Sequence, residues 1–174
     1  RRDEGVTGVL RCALPISVEE LVLLPEAAKS VGDLSRAGYR TCEVTDQSPK
    51  NRGLWSRSNL SMVHDRMGQL LLQNDGDAHL DLILHSPYAP WEGAWARKPF
   101  PGMLEAGRQL IDVASSDPSM RELDLKFGDD WTDRPDESAS VMVGDRGVDM
   151  SAATRFRSEE RTSELQTHLN LVCR

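Results

Sequence analysis

Arg97-Lys98-Pro99-Phe100-Pro101-Gly102-Met103 is the stretch whose reading decides the fold. Its two prolines forbid a helix at the charged pair, and Gly102 opens an apolar-periodic run through Met103, Leu104, Leu110 and Ile111. The spacing predicts a helix over Met103–Ala114, with Lys98 held on a loop just before it. A helix start offers free N–H groups and the positive end of its dipole, so a fixed ammonium beside it suits an anion, phosphate first.

Outward from that loop, apolar runs alternate with helical patterns. Tyr39 to Val44 reads as a strand that delivers Thr45 to its C-terminal end. Leu80 to Leu84 reads as a second, and Ser140 to Val143 as a short buried one that ends in Gly144 and Asp145. Between them, Ala27, Ala28, Val31 and Leu34 predict a helix with Pro25 in its first turn and Gly38 as its stop. Leu60, Val63, Met67, Leu70 and Leu71 predict another, capped by Ser56 or Ser58, whose stripe is core. Strands alternating with helices predict an α/β fold with a mostly parallel sheet.

The composition fits one soluble domain: 174 residues, 39% apolar and 28% charged. A net charge of -7 argues against a nucleic-acid surface. No apolar stretch approaches membrane-span length and no charged-then-apolar leader opens the chain, so a cytoplasmic protein with no membrane partner is expected. A monomer is expected. Cys12, Cys42 and Cys173 share no metal-like spacing and are read as reduced thiols.

Three motifs occur in order: Val44-Thr45-Asp46-Gln47-Ser48, the Arg97–Met103 loop, and Val143-Gly144-Asp145-Arg146-Gly147-Val148-Asp149-Met150. Together they resemble motifs two, three and four of the haloacid dehalogenase (HAD) superfamily. More narrowly, they resemble its subfamily IIIA of heptose-bisphosphate and histidinol-phosphate phosphatases, over Val18 to Ala153. The resemblance implies a Rossmann-like three-layer sandwich and a Mg2+-dependent phosphatase acting on a small phosphorylated substrate. It implies that Thr45 binds phosphoryl oxygens and Lys98 offsets charge on the phosphoryl group. Asp145 would ligate Mg2+, with Asp149 in support. Arg97 and Arg146 would hold a second phosphate or the sugar, and Gln47 and Ser48 would contact substrate hydroxyls. Asp46 departs from the asparagine common in the family at that position.

The same family carries its nucleophile in a D-x-D strand before the segment that corresponds to Val18–Pro25, and no D-x-D precedes it here. The sheet is therefore expected to be incomplete at its N-terminal catalytic strand, and the chain inactive in hydrolysis. Arg1 to Ser17 and Arg157 to Arg174 resemble translated sequencing-adapter tails and are expected to be non-native, which leaves a partial phosphatase domain over 18–156. A non-catalytic phosphate- or sugar-binding module is the alternative reading. A receiver-like interaction domain also uses a Thr and a Lys on an α/β sheet, but the proline-rich loop and the late G-D-x-x-x-D argue against it.

Members of the subfamily often bind zinc in the loop before R-K-P. The aligned positions here are Ser86, Tyr88, Ala94 and Ala96, so no zinc is expected. Tyr88, Trp91 and Trp95 are expected to fill that loop by apolar packing, and His85 is read as a hydrogen-bonded structural residue. Ser115 to Ser138 is acidic and proline-punctuated; it reads as either a surface excursion or a subfamily-specific insertion, whose acids form a solvated face.

Overall fold

The computed structural model describes residues 18–47, 56–120, 122–157 and 172–173. In chain order these form α1 (Ala27–Arg36), β1 (Arg40–Asp46), α2 (Arg57–Asn74), β2 (Leu82–Ser86), α3 (Gly102–Ser116), α4 (Gly147–Arg157) and β3 (Val172–Cys173). β1 and β2 pair in parallel, with Cys42 opposite Leu82 and Asp46 opposite Ser86. β3 adds a short antiparallel pairing, Arg40 with Cys173 and Thr41 with Val172. The expected α/β class is present, and its parallel sheet among the described residues has two strands.

Side-chain alternation along β1 and β2 sends successive residues to opposite layers. Ile83 packs against a cluster of Leu21, Ala28, Val31, Val63, Met67 and Leu71, contributed mainly by α1 and α2. Val44 packs on the other face against Leu104, Trp131, Met142, Ala152 and Phe156, centred on α3 and α4. Cys42 is on that second face too: a methyl at Gly107 of α3 would lie 3.3 Å from its Sγ. The sheet is thus the middle of three layers.

Several expected boundaries move. β1 runs two residues further than expected and so includes Thr45 and Asp46, because pairing with β2 continues to Ser86. β2 is shifted the same way, since its first two expected residues precede the ladder. α1 begins after Glu26, whose φ of 64° breaks the backbone between Pro25 and the helix, so Pro25 is outside the first turn. Gly38 does stop α1, at φ 82°. Of the two candidate caps for α2, Ser56 is the one used; its Oγ accepts the Asn59 N–H at 3.1 Å.

Ser140 to Val143 is not a strand; only Val141 makes an isolated bridge. A strand needs a neighbour along its length to take up its N–H and C=O groups, and among the described residues none runs beside this segment. Its Met142 is nonetheless buried, so the segment packs as core without being in a ladder. The expected C-terminal tail begins at Arg157. Arg157 is the last residue of α4, its guanidinium donates to the Ser140 carbonyl, and the preceding Phe156 is buried.

Candidate functional site

The carboxyl end of β1 and the loop before α3 meet at one side chain. The ladder fixes the backbone directions in β1: Gln47 N–H bonds the Ser86 carbonyl and Thr41 C=O takes the Asp81 N–H, so odd-numbered residues face β2. The Val44 carbonyl therefore points to the other edge. Lys98 Nζ donates to it at 3.0 Å. The same ammonium stands 2.6 Å from Asp149 Oδ1, in a pair that is almost wholly buried. Lys98 thus bridges the end of β1 to the first turn of α4, although in sequence it precedes α3. The Lys98–Pro99 peptide is cis.

Asp149 is held from two sides. Its Oδ2 accepts the Arg146 N–H at 3.1 Å, a capping interaction at the start of α4. Its carboxylate fits only because residue 144 is glycine: a methyl there would lie 2.4 Å from Asp149 Cβ. Asp145, by contrast, is exposed.

Asp46, noted in the sequence only as a departure from asparagine, is placed at this site by the structure. It lines the same cleft as Arg97, Lys98 and Arg146, and its Oδ1 accepts the Lys98 N–H at 3.3 Å. Burial pushes its carboxyl up, and the nearby charges of Lys98 and Arg97 draw it partly back. Two residues on from Val44, its side chain leaves the same face of the strand, the one that α3 and α4 cover. Glu43, just before Val44, is half-buried, with its Oε2 buried and unpartnered; desolvation raises its carboxyl to about 7, against an opposing pull from Lys98.

The cleft has a volume of about 630 Å3 and is walled by Pro90, Gly93 and Ala94 on one side and Gly147, Val148 and Ser151 on the other. Of the expected substrate contacts, Arg97, Lys98 and Arg146 meet there. Arg97 is fixed by donating to the Tyr88 carbonyl at 2.6 Å. Thr45 and Gln47 are joined to each other instead, Gln47 Nε2 donating to Thr45 Oγ1 at 3.0 Å, at the end of the strand beside Lys98. Ser48 lies outside the described residues.

Two expectations for the surrounding loops are corrected. Tyr88, Trp91 and Trp95 are all exposed, Trp91 at 78%, so they do not fill the loop as an apolar core. Trp95 stacks on Phe100 with centroids 5.4 Å apart, but it is anchored by a polar contact, Nε1–H to Glu105 Oε2 at 2.7 Å. A loop rich in aromatics need not bury them when its backbone is already held by turns, and here Gly102 N–H closes onto the Trp95 carbonyl. In the 115–138 insertion the acids are exposed except Glu137, which is buried, accepts from Ser140 Oγ and pairs with Arg108 of α3. His85 faces His64 of α2, with ring centroids 6.1 Å apart.

For a metal, the available donors are carboxylate oxygens, which suit a hard cation such as Mg2+. Among the described residues no group of three or more His, Cys, Asp and Glu is placed to hold one. Asp145 is open to solvent and Asp149 is occupied by Lys98, so these two are at most part of a ligand set. The sequence has one D-x-D spacing, Asp75 and Asp77. It lies ahead of β2, and both carboxylates bind Arg36. It is at the end of the sheet away from Thr45.

Among the described residues no helix is long and apolar enough to cross a membrane. No family model matches the chain. It is similar to the D-glycero-beta-D-manno-heptose-1,7-bisphosphate 7-phosphatase of Bordetella bronchiseptica, 33% identical over 113 residues, 64% of this chain and 62% of that one. A crystal structure of D,D-heptose 1,7-bisphosphate phosphatase from B. bronchiseptica, complexed with magnesium and phosphate, superposes with a TM-score of 0.55 at 31% identity, over 60% of this chain and 59% of that chain. A protein of Mesorhizobium loti assigned as a HAD-like phosphatase superposes at 0.61 and 29% identity, over 83% of this chain and 61% of its own. The chain spans 62%, 50% and 48% of the first three curated relatives it matches.

Proposed function

We propose, from the premise that this chain is related in sequence and fold to the heptose-bisphosphate phosphatases of the HAD superfamily, that it is part of a Mg2+-dependent phosphatase domain for a sugar phosphate or another small phosphorylated metabolite. The observation that carries this reading is the placement of Lys98. A buried ammonium joins the end of β1 to the first turn of α4 and lines one cleft with Arg97 and Arg146. Phosphoryl transfer asks mainly for such preset positive charge around the phosphoryl oxygens.

In this reading Lys98 and the Thr45 hydroxyl hold the reacting phosphoryl group. Arg97, fixed by Tyr88, and the exposed Arg146 clasp the rest of the substrate. As described, the cationic groups are opposed by Asp46 and Asp149, so anion binding needs part of that negative charge offset. Asp145 and Asp149 would hold Mg2+ together with donors outside the described residues. Bound there, Mg2+ would offset the charge of these carboxylates and leave that of Lys98 for the phosphoryl oxygens. The raised carboxyl of Asp46 helps in the same direction, because its protonation costs less than that of an exposed aspartate.

Of the carboxylates beside Lys98, Asp149 is ion-paired with it and Asp46 accepts its backbone N–H, so in this reading both supply positioning and charge rather than a nucleophile. The chain as it stands is therefore expected to bind phosphate and not to hydrolyse phosphate esters above background. Titration calorimetry with inorganic phosphate, with and without Mg2+, tests this. Binding should require Mg2+, weaken at least about tenfold in Lys98→Met, and weaken by less in Arg146→Ala. No phosphate binding by the unaltered chain sinks the reading. Mg2+-dependent turnover of a phosphate ester, lost in Lys98→Met, rejects inactivity and establishes the enzyme. A native binding module is the second reading, favoured by the closed Lys98–Asp149 pair; phosphate binding that is indifferent to Mg2+ selects it.

A further inference from the structure

We infer that Glu105 is a positioning residue for the cleft: it locks Trp95, closes the neck of the loop that presents Arg97 and Lys98, and ties that neck to the segment 126–134. The inference rests on the proposed anion site only for what the loop is positioned to do.

Glu105 lies in the first turn of α3 and is completely buried, where a carboxylate is strongly disfavoured unless it is fully paired. Three donors meet it. Trp95 Nε1–H reaches Oε2 at 2.7 Å, while Oε1 accepts Arg134 Nη2 at 2.6 Å and the Gly128 N–H at 3.2 Å. None of the three comes from α3 itself. The carboxylate therefore joins the loop before the helix to the insertion after it.

Trp95 is held at several points although it is 43% exposed. Its carbonyl accepts the Gly102 N–H at 3.1 Å, so residues 96 to 101 form a loop closed at the base. The closure is tight: a methyl at Gly102 would lie 2.6 Å from both the carbonyl oxygen and Cδ1 of Trp95. Phe100 stacks on the indole from inside the loop. Arg134, the other main partner of Glu105, is held in turn by the Phe156 carbonyl at 3.0 Å and lies 4.9 Å over the Trp131 ring. α4, which carries Asp149, thereby shares the same anchor. With its neck free to open, Lys98 would keep its backbone bond to Asp46 but would lose the closed loop that aims its flexible stem at Asp149 and Val44.

Hydrogen exchange and indole NMR on the full chain test this, using Trp95→Phe and Glu105→Gln. Trp95→Phe keeps Glu105 paired with Arg134 and folds even if Glu105→Gln does not. Amides of Arg97, Phe100 and Gly102 should exchange faster by about tenfold or more in both variants, the size expected for loss of a hydrogen bond to a charged group, while those of α1 and α2 stay unchanged. The double variant should free the loop no further than Trp95→Phe alone, because the carboxylate acts through the indole. The indole N–H resonance that vanishes in Trp95→Phe should move upfield in Glu105→Gln. Inorganic phosphate, if bound by the unaltered chain, should bind several-fold more weakly in both. Loop exchange unchanged in Trp95→Phe, or raised equally in α1 and α2, overturns the inference. A chain that binds no phosphate yet frees its loop as described refutes the proposed function and upholds the role of Glu105.

Discussion

The two faces of the β1–β2 sheet are packed by different means. On the α1 and α2 side the contact is a stripe of leucine, valine, methionine and alanine, with Met67 and Leu71 completely buried. On the α3 and α4 side, apolar residues share the interior with Glu105, Asp149, Glu137 and Ser140, all buried and all joined to partners from other elements. The first face depends on area removed from water, which is indifferent to direction. The second depends on pairs that must be complete, because a buried carboxylate left alone is more costly than none at all. A site that has to hold charge in a fixed place is built on the second kind of face.

The largest effect should come from the apolar face. Leu71→Ala is expected to cost about 4 kcal/mol of global stability, from lost transfer energy and the cavity left behind. Urea denaturation should show a lower midpoint at unchanged slope, and phosphate binding at a temperature where the chain is folded should not alter. A cleft that fails along with the core would mean that the two faces are not separable.

On the polar face, Lys98→Ala should cost about 3 kcal/mol, since it strands the buried Asp149 carboxylate. Replacing both partners, Lys98→Met with Asp149→Leu, should recover most of that stability and none of the anion binding. If the double replacement is no better than the single one, completeness of pairing is not what this face requires.

Glu43 belongs to neither pattern, and pH isolates it. Its folded carboxyl is raised to about 7 from an ordinary 4.5, so between those values the folded chain holds a proton that the unfolded chain has released. Stability therefore falls as pH rises from 4.5 to 7 and levels off above that window. Glu43→Gln should flatten this slope and raise stability at pH 8 by about 2 kcal/mol, less than the full linkage value because the amide is itself buried without a partner. Thermal unfolding of both chains across pH 4 to 9 measures it. A slope that survives the substitution would assign the titration to another group.

This difference between the faces also explains what could be read in advance. α2 was legible because Leu60, Val63, Met67 and Leu71 recur at helical spacing and the structure buries them together. Thr45 and Lys98 were legible because strand ends and proline-held loops leave local marks in sequence. Ser140 to Val143 misled, because an apolar run states that a segment is buried, not that a neighbour is there to pair with it. Glu105 carried no local mark, and Asp46 was marked only as a departure from asparagine within the first motif. Their partners are 10 to 29 residues away for Glu105 and 52 for Asp46, and long-range complementarity between polar groups has no periodicity to detect.

The lysine at the end of β1 has a consequence for how the molecule behaves among its own copies. Past Thr41, the outer edge of that strand meets no other strand among the described residues, and Val44 presents a carbonyl there. An unpaired edge is a template for the strand of another molecule, and proteins commonly guard such edges with an inward charge. Lys98 sits on that carbonyl. The side chain that gives the cleft its charge is also a gatekeeper against edge-to-edge association, so substitutions that remove it should be judged by turbidity as well as by affinity.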